Sequence, residues 1–122
     1  MPFVTITLPE GNNQQFIQSL SAIVQAAMVE TIKCPPNSLY HRIQQVRRDE
    51  LIYLPGYNNI LRSENVIMFE ITLKEGRTAE QKKQLYEAIS SGLNKNLGIR
   101  YEDIIIVLTE NKAEDWYFGR NA

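Results

Sequence analysis

The sequence has few of the residues that build covalent or metal frameworks: its 122 residues include one cysteine, Cys34, and one histidine, His41. A lone cysteine excludes an internal disulfide and any metal site built on a cysteine cluster. The net charge of −1 supplies no basic surface, so nucleic acid is not an expected partner. No apolar run approaches the roughly 20 residues of a membrane-spanning helix. The first ten residues lack the basic and apolar blocks of a signal peptide, so we expect a cytoplasmic protein.

The length and composition are those of one globular domain. Of the 122 residues, 43% are hydrophobic and 22% are charged, which is ordinary for a globular chain with a single core. We therefore expect residues 1–122 to form one domain.

An internal repeat organises this domain. The pattern Ile-Thr-Leu-x-Glu-Gly occurs at 6–11 and again at 71–76, an offset of 65 residues. Self-similarity at a fixed offset indicates a duplicated structural unit. The sequence predicts units at 2–46 and 66–109, a linker at 47–65 and an aromatic tail at 114–119. The same offset, held without a gap, aligns Leu20 with Leu85, Val24 with Ile89, Met28 with Leu93, Ile32 with Leu97 and Ile43 with Leu108.

The first unit has the pattern of a strand, a helix and a strand. Residues 3–8 alternate β-branched and apolar types, and apolar residues recur at helical spacing over 14–32. Asn13 can cap this helix, and Pro35-Pro36 cannot continue it. A second, more polar strand is predicted over 39–46. A crossover of this length predicts parallel strands with a right-handed connection.

The second unit repeats that pattern more clearly. A strand is predicted over 66–73, and Thr78 and Gln81 form a capping box at the start of a helix that ends at Gly98. The last strand, 104–108, is continuously apolar, which suggests burial on both of its faces.

Together the two units predict an α/β (α+β) fold, a four-stranded mixed sheet with two helices on one face. Two helices cover only one face of such a sheet. An apolar face left uncovered on a small chain predicts association with further copies.

The two copies differ at their first position, where Pro2 aligns with Ile67. Methionine before a small residue such as proline is ordinarily trimmed, and trimming would expose the secondary amine of Pro2. Proline is also an ordinary first residue of a strand, so Pro2 by itself has both a catalytic and a structural interpretation.

The Met-Pro start, the two β-α-β units and several local motifs resemble the tautomerase superfamily. Two fused units in one chain are similar to its malonate semialdehyde decarboxylase and cis-3-chloroacrylic acid dehalogenase branches, which are trimers, whereas 4-oxalocrotonate tautomerase has one unit per chain. The similarity is dense over 66–119 and looser over the first half. Its motifs are Lys74-Glu75-Gly76-Arg77-Thr78-x-x-Gln81-Lys82, Leu97-Gly98-Ile99, Glu102-Asp103 and Glu114-Asp115-Trp116-x-Phe118-Gly119.

The resemblance implies catalysis by an amino-terminal proline, with Pro2 as general base and acid. Arg77 matches an arginine that both branches place after the third strand, and it would bind the carboxylate or enolate of a small 2-oxo acid. Lys74 would add a second cation, and Trp116 and Phe118 match the pocket wall of the decarboxylase branch. The implied reaction needs no metal or organic cofactor, and the implied assembly is a homotrimer.

This sequence departs from both branches at residues that serve hydration. Ser38 stands where the decarboxylase branch has a water-activating aspartate, and Tyr117 replaces the water-activating glutamate of the dehalogenase branch. Glu75 replaces one of two arginines of the decarboxylase branch. Lys74 replaces an arginine of the dehalogenase branch and keeps its charge without the bidentate fork. These losses favour keto–enol proton transfer over hydration.

Other interpretations stay open for several residues. Trp116 and Phe118 also suit a core or a subunit interface, and Lys74 also suits a solvated strand end. Ser38 is among the implied substrate-binding residues, but it has no base beside it in sequence and suits a turn. His41 has no partner cluster in sequence and is predicted to be structural or exposed.

Two rival functions remain beside a tautomerase. One is decarboxylation, hydration or dehalogenation of a three-carbon acid by the same proline. The other is a non-catalytic oligomeric ligand-binding module, because a fold does not fix a function.

Overall fold

Two β-α-β units form one four-stranded sheet in the computed structural model, which describes residues 2–120. The sheet order is β2-β1-β3-β4, with β1 and β2 parallel, β3 and β4 parallel, and β1 and β3 antiparallel. The predicted mixed sheet with two helices is confirmed. The helices and strands are β1 Phe3–Pro9, α1 Gln14–Ile32, β2 His41–Val46, β3 Ile67–Lys74, α2 Ala79–Leu97 and β4 Ile104–Asn111.

The strand register carries the sequence repeat into three dimensions. Val4 lies opposite His41 and Ile67 opposite Ile104, the same offset of 37 residues within each unit. In the central antiparallel pair, Phe3 lies opposite Thr72 and Thr7 opposite Met68, and a shift of 65 residues converts one pair into the other. The two units are therefore related by a twofold axis between β1 and β3, and they begin at opposite ends of the sheet.

The ends of the two helices are built alike. The Asn13 side chain accepts a hydrogen bond from the Phe16 amide at 2.8 Å, and the Thr78 hydroxyl accepts one from the Gln81 amide at 3.1 Å. Both helices end in a residue of left-handed conformation, Lys33 with φ 59° and Gly98 with φ 67°. The predicted bounds of α1 and the predicted capping box of α2 are confirmed.

The core lies between the helices and one face of the sheet. Every second residue of β1 and β3 points into it, and the aligned stripes of the two helices meet these side chains. Fully buried members include Val4, Ile6, Leu8, Phe69, Ile71 and Leu73 from the sheet, and Leu20, Val24, Met28, Leu85, Ile89 and Leu93 from the helices. Within residues 2–120, neither helix combines the length and apolar character needed to cross a membrane.

The last strand differs from the prediction of burial on both faces. β4 is an edge strand, none of its residues is fully buried, and Val107 is 53% exposed. Phe3 on β1 is 41% exposed, with the Arg42 guanidinium 5.9 Å from the centre of its ring. The apolar run of β4 therefore reflects a sheet face that a single chain leaves open, and burial on both faces would require another molecule.

The linker contains short 3₁₀ turns at Arg48–Glu50 and Tyr57–Asn59. The first of these turns has a counterpart at Ala113–Asp115, again 65 residues later. In both turns an acidic side chain accepts a hydrogen bond from the backbone amide that precedes the turn: Glu50 from Arg47 at 2.9 Å, and Asp115 from Lys112 at 2.8 Å. The structural repeat thus runs beyond the strands into the start of the linker and the tail.

The matched helix ends generate a prediction about stability. Gly98→Ala places a Cβ in a left-handed conformation and should lower the free energy of unfolding by about 1 kcal/mol. Lys33→Gly relieves the same strain in α1 and should stabilise the chain by less, because glycine adds entropy to the unfolded state. Urea unfolding of both variants measures this, and an unchanged midpoint for Gly98→Ala would contradict it.

Candidate active site

Pro2 is buried at the end of the sheet where β1 begins. The next two residues fix its surroundings, because Phe3 lies opposite Thr72 and the Val4 amide donates to the Tyr40 carbonyl at 2.9 Å. Pro2 is therefore enclosed between the segment that leaves β3 and the segment that enters β2. We name this edge the β1-start end and the opposite edge the β3-start end. Met1, whose removal would free the Pro2 amine, lies outside the described residues.

Arg77 lies at the same end of the sheet, in the turn between β3 and α2. It is half-buried, and its guanidinium donates from Nε to the Ile32 carbonyl at 3.2 Å and from Nη1 to the Lys74 carbonyl at 3.1 Å. These bonds join the end of α1 to the end of β3 and fix the side chain. Within residues 2–120, Arg77 forms no ion pair, so its charge is available to an anion.

Cys34 lies beneath this region and is 2% exposed. Burial raises the pKa of the Cys34 thiol, and the nearby Arg77 guanidinium acts in the opposite direction. The thiol therefore stays protonated and contributes apolar packing next to the arginine rather than a nucleophile.

The aromatic tail folds over the β1-start end. The rings of Trp116 and Phe118 stack, with centroids 5.6 Å apart and planes at 10° to each other. The centroids of the Phe118 and Tyr40 rings are 5.9 Å apart. The Trp116 indole donates to the Asn111 side-chain oxygen at 2.6 Å, which anchors the tail to the end of β4. A cavity of about 80 Å³ is lined by Lys74, Ala113, Trp116 and Phe118. The tail thus brings three of the predicted substrate-binding residues together.

Ser38, the fourth of those residues, is enclosed. It is 2% exposed, its amide donates to the Pro35 carbonyl at 2.9 Å, and its carbonyl accepts from the Gln25 side chain at 2.9 Å. Its hydroxyl is buried with no hydrogen-bond partner within residues 2–120. These contacts are those of a turn that leads into β2 at the β1-start end.

Tyr40 and Asn111 are the site residues that sequence reasoning missed. Tyr40 extends the aromatic layer, and Asn111 orients the indole of Trp116. Pairing the two strands of the first unit with Val4 opposite His41 would have placed Tyr40 beside Phe3. The sequence indicates parallel pairing but contains no signal that fixes this register.

His41 lies away from these groups, on the face of β2 that looks toward α1. Its Nδ1 lies 2.7 Å from the Ser21 hydroxyl, in a groove of about 870 Å³ along α1 and β2. This groove is larger than the cavity at the tail, and neither Pro2 nor Arg77 is among the residues that line either one. We place the candidate active site at the smaller cavity, because Lys74 lines it and Arg77 donates to the Lys74 carbonyl.

The groups at the β1-start end suit acid–base chemistry on an anion. An amine at Pro2 could exchange a proton with a bound molecule, and Arg77 could hold a carboxylate or a developing oxyanion. Within residues 2–120, no three His, Cys, Asp or Glu side chains form a cluster that could hold a metal ion.

Comparison with known sequences places the chain in a family. A family model described as tautomerase enzyme matches residues 38–119. The probable tautomerase YusQ of Bacillus subtilis (strain 168) is 40% identical over 119 residues, which covers 98% of this chain and 94% of that protein.

Solved structures share the whole architecture. A malonate semialdehyde decarboxylase, described with decarboxylase and hydratase activities, has a TM-score of 0.91 and 29% identity, and the match covers 98% of this chain and 92% of that one. A fused 4-OT described as a symmetric trimer has a TM-score of 0.76 and 20% identity, covering 90% and 85%. The similarity to the fused 4-OT concerns the fold alone.

The environment of His41 generates a prediction about pH. Burial lowers the pKa of His41, so the unfolded chain binds a proton more readily than the folded chain. The free energy of unfolding should therefore fall as pH drops through about 6.5, the unfolded value. Urea unfolding of the wild type and His41→Gln between about pH 7 and 5.5 measures this. Identical pH slopes for the two proteins would contradict it.

Proposed function

The chain belongs to the tautomerase family, and from this premise we propose that it is an enzyme that catalyses keto–enol proton transfer on a small 2-oxo acid. Pro2 acts as the general base and acid, and Arg77 binds the carboxylate or the enolate. The observation that carries the proposal is the arrangement at the β1-start end. There Pro2 is buried beside the end of β3, and Arg77 is fixed at that strand end without a carboxylate partner among residues 2–120.

The chemistry starts with removal of Met1, which converts Pro2 into a secondary amine. An ordinary α-amino group titrates near about 7.7–8.0. Burial disfavours the charged ammonium form, and the positive charge of Arg77 acts in the same direction. Both effects lower the pKa of the amine, so that a neutral base is present near neutral pH.

In the forward direction, Pro2 removes a proton from the carbon next to the carbonyl. The electron pair of that C–H bond forms the carbon–carbon double bond of the enolate, and negative charge moves to the carbonyl oxygen. The protonated amine then delivers the proton to this oxygen, giving the enol. No atom leaves the substrate, so the cycle ends with Pro2 neutral again.

Arg77 supplies the positive charge that binds the negatively charged substrate and intermediate of this cycle. Its bonds to the Ile32 and Lys74 carbonyls fix the guanidinium and leave further N–H groups for a carboxylate or an enolate oxygen. Lys74 adds a flexible positive charge at the rim. Trp116 and Phe118 form an apolar wall, which excludes water and strengthens these electrostatic interactions.

A second candidate reaction is decarboxylation or hydration of a 3-oxo acid, with Pro2 acting in its protonated form. The likeness to malonate semialdehyde decarboxylase favours it. Ser38 disfavours this reaction, because its buried hydroxyl cannot replace a water-activating carboxylate. Assaying carbon dioxide release from malonate semialdehyde separates the two reactions.

The working assembly that we propose is a homotrimer. The open sheet face carries partly exposed apolar side chains, among them Phe3 and Val107, and further copies of the chain can cover it. The symmetric trimer formed by a fused 4-OT of the same fold supports this stoichiometry. Light scattering of the purified chain should give three times the monomer mass.

The proposed base generates a prediction about rate. Pro2→Ala should reduce the rate of phenylpyruvate enol–keto conversion by at least about 100-fold, the usual scale for loss of a positioned base. Pro9→Ala is the matched control, because Pro9 ends the same strand at the opposite end of the sheet and should leave the rate close to wild type.

Intact-mass spectrometry of both variants and the wild type first establishes that Met1 has been removed. An unchanged rate in a trimmed and folded Pro2→Ala protein would refute the proposal. A chain that retains Met1 in cells would instead favour a non-catalytic ligand-binding module.

A further inference from the structure

A second pocket lies at the β3-start end of the sheet, opposite the proposed active site. Its volume is about 340 Å³. It is formed by the end of β1, the turn after it, the start of β3 and the segment after α2. Its lining includes the charged side chains of Glu10, Arg48, Arg100 and Asp103, together with Asn12 and Ile67.

The repeat makes this pocket the counterpart of the proposed active site. A shift of 65 residues carries Ile67 onto Pro2, Pro9 onto Lys74 and Asn12 onto Arg77. The same shift carries Ile99 onto Cys34 and Asp103 onto Ser38. Four of the six predicted site residues therefore have a counterpart in the lining of this pocket.

Backbone hydrogen bonds confirm that the two ends are built alike. The Glu10 amide donates to the Val46 carbonyl at 2.8 Å, and its counterpart Glu75 donates to Asn111 at 2.7 Å. After the helices, Cys34 donates to Met28 at 3.4 Å, and Ile99 donates to Leu93 at 3.3 Å. The second pocket thus has the same scaffold as the proposed active site.

The side chains of the second pocket exclude the chemistry of the first. Ile67 is an internal residue with no free amine, so the second pocket has no base at the position that corresponds to Pro2. Asn12 replaces Arg77, and its side chain is engaged with the Pro9 carbonyl at 3.0 Å. The pocket therefore has no group that could perform proline-dependent proton transfer.

The charges of the pocket indicate what it can bind. Arg100 is engaged by Asp103 at 3.5 Å and Glu102 at 3.7 Å. Asp103 is in turn held by the Ser63 amide and hydroxyl, each at 2.7 Å. Among residues 2–120, one positive and one negative side chain of the lining form no ion pair.

Those two side chains are Arg48 and Glu10. Arg48 donates from Nη1 to the Glu64 carbonyl at 2.9 Å and, within residues 2–120, forms no ion pair. Its remaining N–H groups can bind a carboxylate. The Glu10 carboxylate, which also forms no ion pair within those residues, can accept a hydrogen bond from the same ligand.

We propose that this pocket is a second, non-catalytic binding site for a small carboxylate that also carries a hydrogen-bond donor, such as a 2-hydroxy acid. Arg48 binds the carboxylate, and Glu10 accepts from the donor group. The proposal rests on the repeat and on the lining of the pocket, and it does not require Pro2 to be catalytic.

Titration of the full-length, isotope-labelled protein with L-lactate, followed by amide NMR shifts, tests this site. The amides of Gly11, Ile67 and Gly98 should respond at the second pocket, separately from Gly76 at the β1-start end. Arg48→Gln should weaken the first set by about tenfold or more, the scale of a lost charge-assisted hydrogen bond. Arg77→Gln should weaken only the Gly76 response.

Two variants serve as controls for the arginine. Arg48→Lys keeps the positive charge and should retain most of the binding, which distinguishes charge from a general loosening of the linker. Arg47→Gln is the matched neighbour, because Arg47 pairs with Asp49 at 3.1 Å and does not line the pocket, and it should bind like the wild type. Lactate shifts confined to the Gly76 region, or shifts at Gly98 that survive Arg48→Gln unchanged, would overturn the proposal.

Discussion

The antiparallel pairing of β1 with β3 is the constraint on which the rest of the structure depends. Within each unit the strands are parallel, so one unit could form only a two-stranded sheet under a single helix. The central pair joins two such units across a twofold axis. It also brings the start of one unit beside the end of the other unit's first strand, which is how Pro2 comes to lie near Lys74 and Arg77. The proposed site is therefore a product of the duplication.

Duplication gave the chain two equivalent ends, and the sequence made them different. A free amine is excluded at one of them, because Ile67 is bonded on both sides, whereas Pro2, the base that we propose, stands at the other. The other differences follow the same division. Within residues 2–120, Arg77 is held by carbonyls and forms no ion pair at one end, whereas Arg100 is engaged by acidic side chains at the other. The scaffold is symmetric and the chemistry is not.

The repeat explains why so much of the fold could be predicted from the sequence. Because the offset is constant, the same strand-helix-strand pattern could be recognised in both halves. Asn13 and Pro35-Pro36 indicate the bounds of the first helix, and the Thr78 capping box and Gly98 indicate those of the second. The helix bounds, the strand order within each unit and the mixed sheet follow from patterns that extend over many residues.

Features that depend on contacts between distant segments could not be predicted. The contact between the tilted rings of Phe118 and Tyr40 joins the tail to the first unit, and no local pattern encodes such a contact. The continuous apolar run of β4 was interpreted as double burial, but its position at the sheet edge leaves Val107 exposed in the single chain. The enclosed hydroxyl of Ser38 likewise depends on the packing of Gln25 from α1.

The central claim concerns the protonation of one nitrogen, and it can be measured directly. Nitrogen-15 NMR titration of the Pro2 amine, in trimmed protein labelled selectively at proline, reports its pKa. The account predicts a value below the ordinary range of about 7.7–8.0 for an α-amino group. It also predicts a higher value in Arg77→Gln, because removing a nearby positive charge favours the ammonium form. An ordinary pKa that does not change in Arg77→Gln would contradict the account.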